Sequence, residues 1–473
     1  MQFDRDYAML IDGRIEAGEP SLEVINPATE AVIATVPDCS REQLDAAVAA
    51  ARAAFPAWRA LPIAERKAFV VRIGALITEH ASALARLLTA EQGKPVADAE
   101  GEIAAAAYWC QGIATYDLPV HVNEETEERR SVTHYVPLGV VGGIVPWNFP
   151  ILLAIFKIAP ALLAGNTMVI KPSPFTPLSL LKLGELLADE LPAGVLNIVA
   201  GGDAVGPWMT EHPGIDKISF TGSTQTGRRV MASAAANLKR LTLELGGNDA
   251  AIVLPDVDVD AVAQTLFWAA FGNNGQVCIA AKRMYVHADV YDAVRDALVA
   301  YAATVKVGDG AEQGTQVGPI QNRPQFERVK ALIADARASG LVFAAGGEVP
   351  EGKGFFIPLS IVDNPPEDSR VVQEEAFGPV LPLIRFDDID DVIRRANASD
   401  YGLAGSVWTN DLDRAAAIAA QLDTGTVWVN EVQYLTPFQP FGGHKQSGLG
   451  TENGLDGILE YTSPRTIVVK QKP

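Results

Sequence analysis

Three side chains in this 473-residue chain combine into a set that could make and break bonds to carbon. Cys278, in NNGQVCIAAKR, falls between a helical stretch and a strand, in a loop that could present a thiol to a cleft. A thiolate is a strong nucleophile near neutral pH, and a thioester on it is a reactive acyl donor. Glu244, in LTLELGGND, ends an apolar run before two glycines, where burial would raise its pKa and suit it to proton removal. Asn148, in VPWNFP, is an amide braced between Trp147 and Phe149, a neutral donor suited to a developing oxyanion. Taken singly, each has an ordinary alternative: a cysteine packed as a small hydrophobe, a strand-end glutamate facing solvent, a turn asparagine.

A second feature, FTGSTQTGRR at 220–229, joins a strand end to a small-residue turn and a helix start, a geometry that turns backbone N–H groups toward a phosphate. It lacks the Lys and Ser/Thr of a P-loop, and it is not GxGxxG. Metal chemistry has little support, since the six histidines are scattered and neither HExxH nor CxxC occurs. No GxSxG elbow is present for a serine nucleophile.

These residues need rigid elements to hold them. Leu44, Val48, Ala51 and Phe55 have helical spacing, and one long amphipathic stretch from Ala64 to Gln92 is closed by Gly93 and Pro95. From residue 139 short apolar runs, GVVGGIV, TMVIK, VLNIV and KISF, alternate with helical stretches, which predicts a parallel sheet in a doubly wound α/β domain. Ligands in such folds bind at the carboxyl ends of the strands. A second series begins after LTLELGG, with strand AAIVL, a helix from Val259 to Phe271 and strand KRMYVH, and the 240s form a hinge. The charged run NEETEERR at 123–130 and the tail TIVVK at 466–470 are either strands of an arm or, for the run, a solvated face.

Composition narrows the class. Hydrophobic residues at 48% and charged residues at 20% describe an ordinary globular enzyme-sized protein. A net charge of -20 argues against nucleic acid, which selects clustered Lys and Arg. The apolar stretch from Leu138 to Ile170 is broken by prolines and asparagines, so it reads as strand, loop, buried helix, strand rather than a membrane span. Three widely spaced cysteines and a charged N-terminus without an apolar core predict reduced thiols and a cytoplasmic protein.

In order along the chain, VPWNFP, IKPS, FTGST, LELGG, GQVC, EEAFGP and PFGGHKQSG resemble the aldehyde dehydrogenase superfamily over essentially its full length. The resemblance implies a Rossmann-like cofactor domain (1–120 and 139–246), an α/β catalytic domain (247–440) and a small β oligomerisation arm (121–138 and 455–473) that joins subunits into a homodimer or homotetramer. It assigns Cys278 as nucleophile, Glu244 as general base and Asn148 as oxyanion donor beside the Cys278 N–H. Glu452 matches an acidic position that assists proton relay. Lys171 matches a contact to the adenosine ribose, Gly222 and Ser223 sit at the pyrophosphate turn, and Glu375 and Phe377 match the holders of the nicotinamide ribose and ring. Trp147 lines the cofactor cleft. The implied reaction is oxidation of an aldehyde to the acid with NAD or NADP through a thioester, with no metal.

One departure bears on the cofactor. Many members carry a glutamate three residues after the position of Lys171, and its carboxylate repels a 2′-phosphate; here that residue is Pro174. Either cofactor is therefore expected, with a lean to NAD. The aldehyde tunnel is matched by Leu152, Leu153, Phe156, Phe271, Val277, Ile279, Val432, Leu435 and Phe441, which favours an apolar aliphatic or aromatic aldehyde. A semialdehyde dehydrogenase, a thiol esterase and a non-catalytic binding protein on the same fold are the alternatives; a match to the base at Glu244 speaks against acyl transfer to coenzyme A.

Overall fold

A computed structural model describes residues 3, 6–18 and 20–471. Five parallel strands form the centre of the first sheet, in the spatial order Leu196–Ile198, Thr167–Lys171, Val140–Ile144, Lys217–Thr221, Arg240–Glu244. They are buried along almost their whole length, as strands covered on both faces must be, and this explains why they read as continuous apolar runs. Order reverses between Val140–Ile144 and Lys217–Thr221, which places a crevice beyond their carboxyl ends. The stretch from Leu138 to Ile170 is strand, loop, the buried helix Pro150–Ala164 and strand. Among the described residues no single helix is long and apolar enough to cross a membrane.

The second sheet has seven strands: Val342–Ala345, Ser360–Asp363, Val380–Phe386, Ala281–His287, Asp249–Val253, Ala404–Trp408 and Thr426–Val429, all parallel except the first. A third sheet pairs Val120–Glu125, Arg129–Pro137 and Thr462–Lys470 in antiparallel register. The run NEETEERR is thus strand and turn, and it is also solvated, with Arg129 and Arg130 beside Glu124 and Glu125.

Two local expectations change. The amphipathic stretch from Ala64 to Gln92 is two helices, Ile63–Glu79 and Ala81–Gln92, bent by 74° at His80. Strands Met9–Ile11, Arg14–Glu16, Pro20–Ile25 and Val32–Pro37 precede the first helix, where helix-rich chain was expected. These strands are short and take their form from pairing; Leu10 opposes Ile198 at the edge of the first sheet.

Gly93 ends its helix as expected, with φ of +96°, a conformation natural to glycine. A Cβ there would also lie 2.7 Å from Pro27 and 2.8 Å from Pro319. Gly93→Ala is expected to destabilise the protein by about 1–3 kcal/mol; an unchanged midpoint in thermal unfolding at matched scan rate would contradict this.

Candidate active site

Cys278 stands at the amino end of the second sheet, ahead of strand Ala281–His287. This differs from the expectation that the motifs gather at carboxyl ends, and the reason is how the two sheets meet: Glu244 closes a strand of the first sheet, and Asp249, which opens the second, pairs with Ala281. After helix Val259–Phe271 the chain passes through Asn273, Asn274 and Gly275, all at positive φ. Asparagine tolerates that region better than most residues. At Gly275 a Cβ would come within 2.3 Å of the Gly378 carbonyl, so only glycine lets this loop close on 377–379. Gln276 fastens the turn, its amide donating to the Asn273 and Pro319 carbonyls (3.0 and 3.3 Å) and accepting from the Gln321 N–H (2.8 Å). Of the three free cysteines, Cys39 and Cys110 are buried, whereas Cys278 is partly open to a cleft. Burial pushes its thiol up to about 12; Lys282 opposes that rise, and Asp249, Glu244 and Glu375 add to it.

Asn148 lines the same cleft. Its side-chain amide donates to the Gln276 carbonyl at 2.9 Å, which commits one N–H and leaves the second. Its own carbonyl accepts from Lys94 Nζ (2.9 Å) and Asn273 (3.2 Å). Lys94 is buried and pairs with Glu102 at 2.6 Å, while the other Glu102 oxygen accepts the N–H groups of Ile151 and Leu152 at the start of helix Pro150–Ala164. A carboxylate is favoured at such a terminus. Nothing in the sequence singled out Lys94 or Glu102, because they lie far from the residues they brace.

Glu244 is 3% exposed and neither carboxylate oxygen has a hydrogen-bond partner among the described residues. Burial, then the charge of Glu452, raises its pKa well above the ordinary carboxylate range, against a lowering pull from Lys157. Glu452 is itself buried and bonds Lys157 at 2.5 Å, and Lys157 also donates to Thr221 Oγ1 at 2.7 Å. Glu244 and Glu452 therefore lie in one buried cluster with the Lys157 ammonium, carried by helix Pro150–Ala164.

Around Cys278 the cleft holds about 630 Å³ of empty space and brings together Trp147, Asn148, Gly222, Ser223, Glu375 and Phe377. Trp147 and Phe377 meet edge to face at 5.4 Å. Phe377 has φ of +49°, a strained state for a bulky residue, held because Gln325 donates to the Ala376 and Phe377 carbonyls and Arg328 to that of Glu375. Ser223 caps helix Thr224–Ala234 by accepting from Thr226, while the Gly222 N–H is committed to the Glu244 carbonyl. Lys171 lies apart, in a neighbouring cleft with Asp203, Thr226 and Arg229. Burial lowers its pKa to about 8, and the one hydrogen bond its ammonium makes among the described residues, to the Pro172 carbonyl, leaves donors for ribose hydroxyls. Both clefts open on the crevice where strand order reverses, so the residues present fit an extended dinucleotide.

A third cleft, about 1190 Å³, is bordered by Val277 and Leu152. Phe149, Trp268, Lys94, Asp98 and Glu102 also line it. Of the apolar residues expected in the aldehyde tunnel, Phe271 is wholly buried against Phe267, and Phe156 stacks on Trp109. The charged border was not foreseen, yet Lys94 and Glu102 neutralise one another. Among the described residues no three His, Cys, Asp or Glu side chains cluster as a metal-ion site requires.

A sequence model described as the aldehyde dehydrogenase family matches residues 15–467. A probable aldehyde dehydrogenase from a Pseudomonas species is 44% identical over all of this chain and 96% of its own length. Phenylacetaldehyde dehydrogenase of Pseudomonas fluorescens is 40% identical, covering 98% of this chain and 96% of that one. The NAD+ complex of an aldehyde dehydrogenase from Bacillus cereus superposes with a TM-score of 0.97 at 38% identity, over 99% of this chain and 98% of that one. With two α/β sheets meeting at a cleft thiol and a match along nearly every residue, the chain belongs to the aldehyde dehydrogenase family.

Proposed function

We propose that the protein oxidises an apolar aliphatic or aromatic aldehyde to the free acid, with Cys278 as nucleophile, Asn148 as oxyanion donor and Glu244 as base. The observation that carries this reading is a cleft thiol flanked by an amide with one uncommitted N–H and acted on by a buried carboxylate with no hydrogen-bond partner among the described residues. The Cys278 thiol gives its proton to solvent, to be regained when the C–S bond later breaks, and the sulfur adds to the carbonyl carbon; the oxygen that becomes anionic lies toward the Asn148 amide and the Cys278 N–H. A nicotinamide cofactor, when bound, accepts the hydride, so the carbon on sulfur reaches the thioester level. Glu244 removes a proton from water, whose oxygen adds to the thioester carbon; the C–S bond breaks, the acid leaves and the thiol is restored. Glu452, held by Lys157, would pass that proton onward.

Trp147, Phe377, Glu375 and Ser223 would hold the nicotinamide half of the cofactor, and Lys171 the adenosine half, with Gly222 setting the turn. NAD is favoured by the NAD+ complex of the Bacillus cereus neighbour, while Pro174 removes the charge that would refuse NADP. The phenylacetaldehyde dehydrogenase relative and the self-neutralised Lys94–Glu102 pair support an apolar substrate over a dicarboxylic semialdehyde. The three-stranded sheet, with Val122, Ile467 and Val469 exposed, would join copies into a homodimer or homotetramer. Three free thiols accord with a cytoplasmic setting.

Three outcomes follow. Reduced cofactor, followed with a panel of aliphatic, aromatic and anionic aldehydes and no coenzyme A, should form with the parent and not with Cys278→Ala; equal activity of the variant would sink the assignment, and a kcat/KM for NADP well above that for NAD would reverse the cofactor lean. Asn148→Ala should lower kcat by roughly 10²–10³, and a loss confined to KM would show that the amide binds without stabilising the oxyanion.

Glu244→Gln should stall at the thioester, visible by mass spectrometry as an acyl group on Cys278. It should also stabilise the fold. A carboxyl with a raised native pKa binds its proton more tightly when folded, so it costs stability as pH rises from its unfolded value through the raised one. The variant's gain in melting temperature should therefore be larger at pH 8 than at pH 5; a gain independent of pH contradicts the buried-charge account.

A further inference from the structure

Lys282, four residues beyond Cys278, has a side chain only 5% exposed, yet it touches two separate segments of the site. Its ammonium donates to the Cys278 carbonyl at 2.5 Å and lies 3.3 Å from Glu375 Oε1. The same nitrogen sits 5.9 Å from the centre of the Phe377 ring. Glu375 Oε1 also accepts the Gly247 N–H at 3.0 Å, and Gly247 is packed so closely that a Cβ would lie 2.7 Å from Asp249 Oδ1 and 2.8 Å from the Cys278 carbonyl. Asp249 is buried, and its Oδ2 has no hydrogen-bond partner among the described residues.

We propose that Lys282 is a positioning residue that joins the two halves of the centre, fixing the thiol loop through the Cys278 carbonyl and holding the Glu375 carboxylate where a cofactor ribose would meet it. The inference rests on the roles given above to Cys278 and Glu375. Its physical basis is charge balance. The carboxylates acting on the Cys278 sulfur come from three directions, Asp249 on the second sheet, Glu375 on its loop and Glu244 on the first sheet, and each disfavours a thiolate. Lys282 opposes all three, and it likewise opposes the burial that raises Asp249 to about 7. Without it, Glu375 keeps the Gly247 N–H as a tether, and Arg283 is the cation left acting on Asp249.

The test separates charge from packing. Lys282→Gln keeps a hydrogen-bond donor but removes the charge, while Lys282→Arg keeps the charge. The readouts are the pH dependence of iodoacetamide alkylation at Cys278, located by mass spectrometry, the KM for NAD, and the melting temperature. Loss of one opposite charge at this range moves a pKa by about 1 unit or more, so Lys282→Gln should alkylate about tenfold more slowly at a fixed pH below the thiol pKa. Its KM for NAD should rise more than its kcat falls, and Lys282→Arg should recover the parent alkylation profile. A parent-like profile and KM in Lys282→Gln would overturn the proposal. So would equal shifts in Gln and Arg variants with matching losses of melting temperature, which would mark a packing role. Alkylation is read without turnover, so failure here is distinct from failure of the proposed reaction, which the Cys278→Ala assay decides.

Discussion

Four residues, Leu245–Asn248, connect the last central strand of the first sheet to the first strand of the second. A tether this short brings the carboxyl end of one parallel sheet against the amino end of the other. Gly246 and Gly247 are required because their neighbours leave no room: a Cβ on the first would overlap the Glu375 carboxylate, and one on the second would press on Cys278, Asp249 and Leu403. Glu244 is thereby placed on one side of the join and Cys278 on the other. The crevice at the strand-order reversal opens directly onto the thiol. Crevice and thiol are brought together by this join and by no single motif.

The electrostatics of the join run against stability. Most buried charges here are paired: Lys94 with Glu102, Lys157 with Glu452. Such pairs contribute little net stability and serve to hold geometry, since removing either partner would leave an isolated charge. Glu244 stands apart from these pairs, buried with neither oxygen hydrogen-bonded among the described residues. A carboxylate in that state is poised to take a proton from water, and the same desolvation makes it costly to the fold.

Backbone strain is concentrated in the same place. Asn273, Asn274 and Phe377 adopt left-handed conformations on two loops that pack on each other through Gly275 and Gly378. Long polar side chains from helix Arg323–Ala338 hold one of these loops, and Gln276 holds the other. Rigid elements thus impose the position of both the thiol and the ring that faces Trp147.

The identities and order of Cys278, Glu244 and Asn148 were legible in the chain, as were the buried parallel strands, because continuous apolar runs and glycine-marked turns are local properties. So was Gly93 as a helix end. Tertiary contacts decided what local pattern could not carry. Strand Met9–Ile11 exists by pairing with an edge that comes nearly two hundred residues later. The bend at His80 interrupts an unbroken amphipathic pattern. Phe271 left the expected tunnel for the core, and Lys94, Glu102, Lys157 and Lys282 entered the site from distant segments. A buried charge is recognised by its partner, and partners separated by up to about three hundred residues are brought within hydrogen-bond reach only by the completed fold.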